Sequence, residues 1–233
     1  MEAVILAGGK GTRLKPYTTE IPKPLVSVGE RPIIEILLAR MKKCGVTKVY
    51  LAVNHLAHLI EAVLGDGGRL GLPLVYSHES TALSTVGPLK LIAGLPDYFI
   101  VANGDILTDL DFRELYRHHL SNKAKLTVAT CARSNRVDYG VIEVDQAGIV
   151  TGFKEKPTYD LTVSAGVYVF SKEVLEMAPD GIPFGFDDLM FTLLKQQEQV
   201  STFPFDGYWL DVGRPDDYEQ AQRDAKRIRT LLP

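Results

Sequence analysis

The residues best suited to chemistry stand near the start of the chain, where a turn combines glycines with cations. The turn Gly8–Leu14 reads GGKGTRL and follows an apolar, β-branched stretch, and Lys23 comes after it between two prolines. Glycines let backbone N–H groups close on an anion, and cationic side chains neutralise its charge. The prolines restrict the backbone around Lys23, which suits a lysine that must point at a ligand. The pattern predicts a phosphate-binding turn; an ordinary strand-to-helix turn with a solvated lysine is the alternative.

The turn does not match the two best-known phosphate-binding motifs. No Gly-Lys-Ser/Thr closes it, as a P-loop requires, and Leu14 stands where the dinucleotide-binding fingerprint has its third glycine. Because open α/β sheets bind ligands at the carboxyl ends of their strands, Arg13 and Lys23 can both point into such a crevice. Because the turn alone is a weak signal, its role as a phosphate-binding site depends on carboxylates further along the chain.

Two aspartates stand among apolar neighbours and close to glycines. Asp105 ends the stretch FIVANGD, and Asp211 lies in GYWLDVG. A carboxylate in such surroundings is costly to bury without a partner. One shared Mg²⁺ would satisfy both, since magnesium is often held by one or two carboxylates together with substrate phosphates. A helix N-cap at Asp105 and a salt bridge at Asp211 are the alternatives; beside a phosphate-binding turn we favour the metal.

A second acidic motif, Asp109-Leu110-Asp111, has the D-x-D spacing of the metal site in nucleotide-sugar glycosyltransferases. Asp111, however, directly precedes the helical pattern Phe112–Leu120. Aspartate is a preferred helix N-cap, and we expect Asp111 to cap this helix rather than to bind a metal.

Strand and helix patterns alternate along the first half of the chain, which indicates a parallel sheet covered on both faces. After residue 125 the pattern becomes mixed and includes a hairpin signal at Asp145–Gly148. We expect an α/β protein with a Rossmann-like, doubly wound, mostly parallel sheet and a smaller mixed lobe. The predicted strands are Ala3–Ala7, Lys48–Val53, Leu74–Ser77, Tyr98–Ala102, Leu126–Thr130, Gly140–Val144, Ile149–Lys154, Ser164–Phe170 and Tyr208–Val212; the predicted helices are Arg31–Cys44, His55–Leu64, Phe112–Leu120 and Pro215–Leu232.

Composition narrows the class of protein. The 233 residues are 45% hydrophobic and 24% charged, with 26 basic and 29 acidic residues and a net charge of −3. This balance argues against a nucleic-acid partner. No apolar run approaches the roughly 20 residues that cross a bilayer, and no signal peptide is recognisable. With Cys44 and Cys131 in no metal-binding spacing, we expect a cytoplasmic protein with reduced thiols and no membrane association.

Several motifs together resemble one family. The pattern GGxGTRLxPxTxxxPKPL is matched at Gly8–Leu25, and later motifs follow in the family's order: Asn103-Gly104-Asp105, Tyr139-Gly140-Val141, Phe153-Lys154-Glu155-Lys156-Pro157, Ser164-Ala165-Gly166-Val167-Tyr168 and Trp209-Leu210-Asp211-Val212-Gly213. The chain resembles the sugar-1-phosphate nucleotidylyltransferases over almost its whole length. The resemblance implies one nucleotidyltransferase domain over residues 1–233, with a nucleotide-binding half at 1–125 and a sugar-phosphate-binding half at 126–233.

The resemblance also implies roles for individual residues. Arg13 would stabilise the pyrophosphate leaving group, Lys23 would lie near the α-phosphate, and Asp105 with Asp211 would hold Mg²⁺. Lys156 would bind the sugar phosphate, with Gly140, Glu155 and Ser164 near the sugar. The residues implied to bind the NTP are Leu6, Ala7, Gly8, Gly9, Gly11, Thr12, Arg13, Thr85 and Gly87.

The substrates are less determined than the reaction. The family's base-binding stretch LGTAGPL reads LSTVGPL here, so Ser84 and Val86 are expected to add bulk near the base, and Ser164 replaces an asparagine common in mannose-type relatives. We favour GTP and a manno-configured hexose or heptose 1-phosphate. A phosphocholine or N-acetylmuramate-1-phosphate type of transfer, a glycosyltransferase using Asp109 and Asp111, and a non-catalytic binding module are the alternatives. Exposed apolar positions on the last helix would permit a homodimer.

Overall fold

The structure is a computed structural model that describes residues 1–231, and its centre is a seven-stranded sheet between two layers of helices and turns. Within these residues the strands are β1 (Glu2–Leu6), β2 (Ser27–Val28), β3 (Arg31–Pro32), β4 (Lys48–Val53), β5 (Leu74–His78), β6 (Tyr98–Asn103), β7 (Ile106–Thr108), β8 (Leu126–Arg136), β9 (Val141–Val144), β10 (Val150–Lys154), β11 (Thr158–Ser171), β12 (Val200–Pro204) and β13 (Trp209–Asp211). The helices are α1 (Ile33–Lys43), α2 (Ala57–Leu64), α3 (Phe112–Asn122), α4 (Phe186–Lys195), α5 (Pro215–Arg223) and α6 (Ala225–Leu231).

The central sheet has the order β12-β8-β11-β6-β1-β4-β5. Strands β6, β1, β4 and β5 are parallel, as are β8 and β12, while β11 runs antiparallel to β6 and β8. The central residues of β1, β4 and β6 are buried and mostly apolar, because both faces of these strands are covered. The predicted mostly parallel, doubly wound α/β sheet is confirmed, with β11 as its antiparallel member.

The second half of the chain is tied to the first by pairing outside the central sheet. Strand β13 pairs antiparallel with β7, and Asp211 lies opposite Ile106. The ends of β8 and β11 extend past the sheet as a pair of arms, and the separate hairpin β9–β10 lies in the chain between these two arms. These arms position the residues that the resemblance implies for the sugar phosphate.

Several predicted boundaries are wrong. The predicted helix Pro215–Leu232 is two helices that break at Asp224, and Leu232 lies outside the described residues. Strand β8 extends to Arg136 instead of ending at Thr130, and helix α4 and strand β12 were not predicted.

Two further features bear on earlier expectations. Where the side chains of α5 and α6 are described, no large apolar residue is exposed, so these positions offer no apolar surface for a dimer.

Among residues 1–231, no helix is long and apolar enough to cross a membrane.

Candidate active site

The glycine turn leaves the carboxyl end of β1 and folds back on the segment that carries Lys23. Gly11 has φ 60°, a left-handed conformation that favours glycine. A Cβ at Gly11 would lie 3.2 Å from the Cβ of Lys23, and Thr18 Oγ1 donates a 2.7 Å hydrogen bond to the Gly11 carbonyl. Leu14 is fully buried and anchors the turn, whereas Arg13 is exposed. The turn therefore presents its cation to solvent while its apolar end holds it to the core.

Lys23 is buried, with 9% of its surface exposed, and its ammonium lies between the two predicted carboxylates. It forms an ion pair with Asp105 Oδ2 and lies 3.6 Å from Asp211 Oδ1. Lys23 begins a short 3₁₀ turn, Lys23–Leu25, with Pro22 as its N-cap. The interpretation of Lys23 as a solvated surface lysine is therefore wrong.

Backbone contacts fix the position of both aspartates. Asp105 follows β6, and the N–H of the preceding Gly104 donates to the Leu6 carbonyl at 3.0 Å. A Cβ at Gly104 would lie only 3.0 Å from that carbonyl oxygen, so glycine permits this close approach. On the other side, Val212 N–H donates to the Asp105 carbonyl at 3.1 Å, which places Asp211 beside Asp105.

The two carboxylates retain unused capacity to bind a cation. Asp105 Oδ1 and Asp211 Oδ1 are buried and make no hydrogen bond among the described residues. Burial, followed by the charge of Asp105, raises the pKa of Asp211, while Lys23 and Arg13 lower it. Orphaned, buried carboxylate oxygens of this kind fit Mg²⁺, a hard cation that prefers oxygen ligands and completes its shell with water and phosphate. Within residues 1–231 no group of three or more His, Cys, Asp or Glu side chains is arranged for a metal, so the pair would hold the ion with substrate oxygens.

A pocket of about 300 Å³ adjoins this pair. It is lined by Arg13 and Asp211, which the sequence predicts, and by two arginines that it does not, Arg133 and Arg214. Neither arginine stands in a recognisable sequence motif; only their convergence in space with Trp209 distinguishes them from other surface arginines.

The residues implied for the sugar phosphate lie at the base of the hairpin β9–β10. A Cβ at Gly140 would lie 2.6 Å from the Phe153 ring and 3.3 Å from Glu155 Oε2, so the structure brings Gly140 and Glu155 together. Lys156 is exposed and has φ 43°; its ammonium lies 3.9 Å from Glu155 Oε1. Lys156 contacts this neighbour rather than the aspartate pair.

Ser164 lies at a bulge in β11 that brings this strand against β6. Ser164 Oγ donates to Tyr168 Oη at 3.1 Å and accepts from Gly166 N–H at 3.2 Å. Gly166 has φ 67°, and a Cβ there would lie 2.7 Å from the side-chain amide of Asn103. The motif that contains Ser164 therefore contacts the motif that ends in Asp105.

The stretch that differs from the family's base-binding pattern packs against the start of α4. Val86 and Gly87 N–H both donate to the Phe184 carbonyl at 3.0 Å, and Thr85 Oγ1 accepts from Phe186 N–H at 2.7 Å. Val86 is 1% exposed and belongs to the apolar core. Ser84 is exposed and has φ 68°.

The remaining residues implied for the NTP continue from β1 into the turn. Ala7 N–H donates to the Ala52 carbonyl at 2.8 Å, and the side chain of Leu6 is half-buried. A Cβ at Gly8 would lie 2.9 Å from Glu79 Oε1, while one at Gly9 would meet nothing within 4 Å. Gly9 and Thr12 are exposed beside Arg13.

The D-x-D motif has structural roles. Asp111 Oδ1 accepts hydrogen bonds from Arg113 N–H at 2.8 Å and Glu114 N–H at 3.2 Å, which confirms it as the N-cap of α3. Asp109 Oδ1 accepts from Tyr208 N–H at 2.8 Å and ties the chain before β13 to the end of β7. Both carboxylates are engaged by backbone donors.

Known proteins share this sequence and fold. The family model described as Nucleotidyl transferase matches residues 2–227. The mannose-1-phosphate guanylyltransferase catalytic subunit beta of Drosophila melanogaster is 33% identical over 223 residues, which are 93% of this chain and 60% of that protein. The UTP–glucose-1-phosphate uridylyltransferase of Synechocystis is 34% identical over 247 residues, covering 96% of this chain and 63% of that protein. The chain thus spans less than two thirds of the length of these relatives.

Two solved structures match this chain over almost the whole length of both proteins. HddC from Yersinia pseudotuberculosis, crystallised in a complex with GMP-PN, superimposes with a TM-score of 0.74 at 27% identity, covering 96% of this chain and 98% of that one. A glucose-1-phosphate thymidylyltransferase described as putative, from Bacillus anthracis, has a TM-score of 0.76 at 23% identity, which supports the fold alone. With the family model matching nearly all of its residues, the chain belongs to the nucleotidyltransferase family.

Proposed function

We propose that this chain transfers a nucleotidyl group from an NTP to a sugar 1-phosphate and releases pyrophosphate, with Mg²⁺ bound by Asp105 and Asp211. The observation that carries the proposal is the pair of orphaned, buried carboxylate oxygens beside Lys23, at the base of the glycine turn. A phosphate-binding turn, a buried lysine and two cation-binding carboxylates together suit phosphoryl chemistry better than any one of them does alone.

In the proposed reaction an oxygen of the sugar phosphate attacks the α-phosphorus of the NTP in line with the leaving group. The bond from the α-phosphorus to the oxygen shared with the β-phosphorus breaks, and pyrophosphate leaves with the electron pair. When bound, Mg²⁺ neutralises charge on the phosphate oxygens. The attacking oxygen is already anionic near pH 7, so the protein needs no general base to create the nucleophile.

The residues of the chain therefore serve mainly to bind and to neutralise charge. Arg13 on the glycine turn would hold the departing pyrophosphate, and Lys23 would exchange part of its contact with the carboxylates for the α-phosphate. Lys156 would bind the sugar phosphate, while Gly140, Glu155 and Ser164 would contact the sugar. Bringing two anions into line and stabilising the charge that develops on them accounts for most of the catalysis in such reactions.

For the substrates we propose GTP and a manno-configured sugar 1-phosphate. Relatives with about a third of their residues identical are named for mannose 1-phosphate and guanylyl transfer, and HddC was crystallised with GMP-PN. A relative named for UTP and glucose 1-phosphate is equally similar, so the preference must be measured. A screen of four NTPs against mannose, heptose, glucose and N-acetylmuramate 1-phosphates and phosphocholine, read as pyrophosphate release, is the direct test.

Two variants test the proposed reaction. Asp105→Asn and Lys156→Ala should each lower turnover at least about 100-fold with the fold intact, because each removes charge that the transition state requires. Lys154→Ala is the matched control, since Lys154 is exposed on the same hairpin and pairs with Glu143. Near-wild-type turnover in the first two variants would contradict the proposal, and binding of NTP without turnover on any sugar phosphate would favour a non-catalytic module.

The proposal extends to the organisation of the protein. Residues 1–125 would bind the nucleotide and residues 126–233 the sugar phosphate within one domain. A cytoplasmic location agrees with the two buried free cysteines, Cys44 and Cys131. Nothing in the charge balance suits a nucleic acid.

A homodimer would use the hairpin β9–β10 rather than the last helix. Register places Ile142 opposite Phe153 and Val144 opposite Val150, and all four side chains are exposed. Light scattering on the wild type and on Ile142→Lys tests this; the mutant should be monomeric at a concentration where the wild type is dimeric.

A further inference from the structure

The pocket beside Asp211 is lined by three arginines, Arg13, Arg133 and Arg214. Among residues 1–231 none of their guanidinium groups makes an ion pair with a carboxylate. Most surface arginines elsewhere in a protein can relax into solvent, but these three converge on about 300 Å³. The pocket therefore concentrates positive charge.

Asp211 and Asp217, the two acidic residues of the pocket, offset only part of this charge. Asp211 Oδ1 lies 3.6 Å from the ammonium of Lys23. Asp217 Oδ2 accepts hydrogen bonds from Gly213 N–H at 3.2 Å and Arg214 N–H at 2.8 Å. Three guanidinium groups against two carboxylates leave the pocket with an excess of positive charge that attracts an anion, and guanidinium groups suit phosphate because they donate two parallel hydrogen bonds.

Arg133 is held in a defined position. Its guanidinium lies over the Trp209 ring, 4.7 Å from the centroid. Trp209 is itself fixed, because its indole Nε1–H donates to the Ala165 carbonyl at 2.8 Å. A cation stacked on an anchored aromatic ring keeps its N–H edge free for a ligand and loses little side-chain freedom when it binds.

We infer that Arg133 binds the phosphate group of the sugar 1-phosphate, an inference that rests on the proposed function. Arg133 belongs to β8, and its neighbour β11 carries Ser164, next to the Ala165 that anchors Trp209. Arg13, by contrast, stands on the glycine turn proposed for the triphosphate. The pocket thus combines Arg13 from the proposed nucleotide side with Arg133 from the proposed sugar-phosphate side, and Lys156 is not among its lining residues.

Trp209 is the only tryptophan of the chain, so it reports on Arg133 directly. Titration with mannose 1-phosphate should change the fluorescence of Trp209, because the bound phosphate would shift the Arg133 guanidinium relative to the indole ring. Neutral mannose should not change it. In Arg133→Met, which keeps an unbranched apolar side chain over the ring, affinity for mannose 1-phosphate should fall at least about tenfold, the loss expected for a charged hydrogen-bonded pair. Arg136→Met is the matched control, since Arg136 is exposed on the same strand.

Kinetics separates the two sides of the pocket. Arg133→Met should raise KM for the sugar 1-phosphate at least about tenfold and leave KM for the NTP within twofold, with an unchanged melting temperature. Unchanged affinity for mannose 1-phosphate in this variant, or a rise confined to KM for the NTP, would overturn the inference. If wild-type protein binds the sugar phosphate through Arg133 but releases no pyrophosphate with any NTP, the proposed function fails while the phosphate site stands.

Discussion

Asp105 and Asp211, far apart in the sequence, are held side by side because Val212 donates its N–H to the Asp105 carbonyl. Asp105 follows a strand of the central sheet, whereas Asp211 ends β13, which pairs only with the short strand β7 among the described residues. The fold thus forces two like charges together in a half-buried position. Lys23 relieves part of the repulsion, and the raised pKa of Asp211 shows that burial and Asp105 outweigh this relief.

This relationship predicts opposite effects of Asp211→Asn on stability and activity. Without metal, the variant should melt at a higher temperature than the wild type, because it removes a buried charge that the fold disfavours. Turnover should fall at least about 100-fold, because the neutral amide is a poor ligand for Mg²⁺. Differential scanning fluorimetry with EDTA and with Mg²⁺, alongside pyrophosphate release, measures both.

The control is Asp216→Asn, which removes an exposed carboxylate at the start of α5. Mg²⁺ should stabilise the wild type and this control but not Asp211→Asn. A variant that lost stability in EDTA would show that Asp211 serves mainly as a partner of Lys23, and the metal role would then fail.

Asp111→Ala distinguishes the helix cap from a metal ligand. The side chain caps α3 through two backbone N–H groups, and loss of such a cap costs about 1 kcal/mol. We expect the free energy of unfolding in urea to fall by that amount while kcat for pyrophosphate release stays within twofold. A variant with wild-type stability and no activity would revive the D-x-D metal site and the glycosyltransferase alternative.

Sequence patterns predicted the strands that consist of continuous runs of apolar residues. Strand β4 has its predicted bounds, Lys48–Val53, because a continuous run of apolar residues is a recognisable signal of a buried strand. Strand β8 was predicted only to Thr130, since the arm beyond Cys131 is exposed and polar and owes its extended form to pairing with β11. A strand that is held by long-range pairing of this kind need not show a hydrophobic periodicity in its sequence.

The same limit applies to the candidate site. Lys23, Asp105 and Asp211 could be predicted as candidates because each stands in a short motif with glycines or prolines. Arg133 stands in the unremarkable stretch CARSNR, and its significance depends on the Trp209 ring, which a different part of the chain supplies. Local sequence patterns do not identify residues whose role arises from contacts across the fold.

Ser84→Gly should stabilise the protein. Ser84 has φ 68°, and an L-residue in this left-handed region costs on the order of 1 kcal/mol or more, whereas glycine adopts it freely but loses more entropy on folding. We expect a net gain of up to about 1 kcal/mol in the free energy of unfolding, measured in urea. Ser84→Ala is the control, because it keeps the strained backbone; an equal gain from alanine would mean that the hydroxyl, not the conformation, is unfavourable.

His119 gives the fold a pH dependence that is independent of the site. The ring is 1% exposed in α3, with Nδ1 2.9 Å from Thr127 Oγ1 and Nε2 3.3 Å from Ser171 Oγ. Burial, with a smaller contribution from His118, lowers the pKa of His119 from 6.5 to about 4. The unfolded chain therefore binds a proton between pH 6.5 and 4 that the folded chain does not, so stability falls as the pH falls through this window.

His119→Gln should remove this component of the pH dependence, since glutamine keeps hydrogen-bonding capacity without titrating. The variant should be less stable than the wild type at pH 7 because the amide fits the imidazole site imperfectly. As the pH falls to 4, the difference in free energy of unfolding between the wild type and the variant should shrink by up to about 3 kcal/mol, which is the free energy equivalent to the shift in the pKa of His119. Urea denaturation at pH 7, 6, 5 and 4 measures it, with His58→Gln, an exposed position of α2, as the control. Parallel stability curves for wild type and His119→Gln across this range would show that the pKa of His119 is the same in the folded and the unfolded protein.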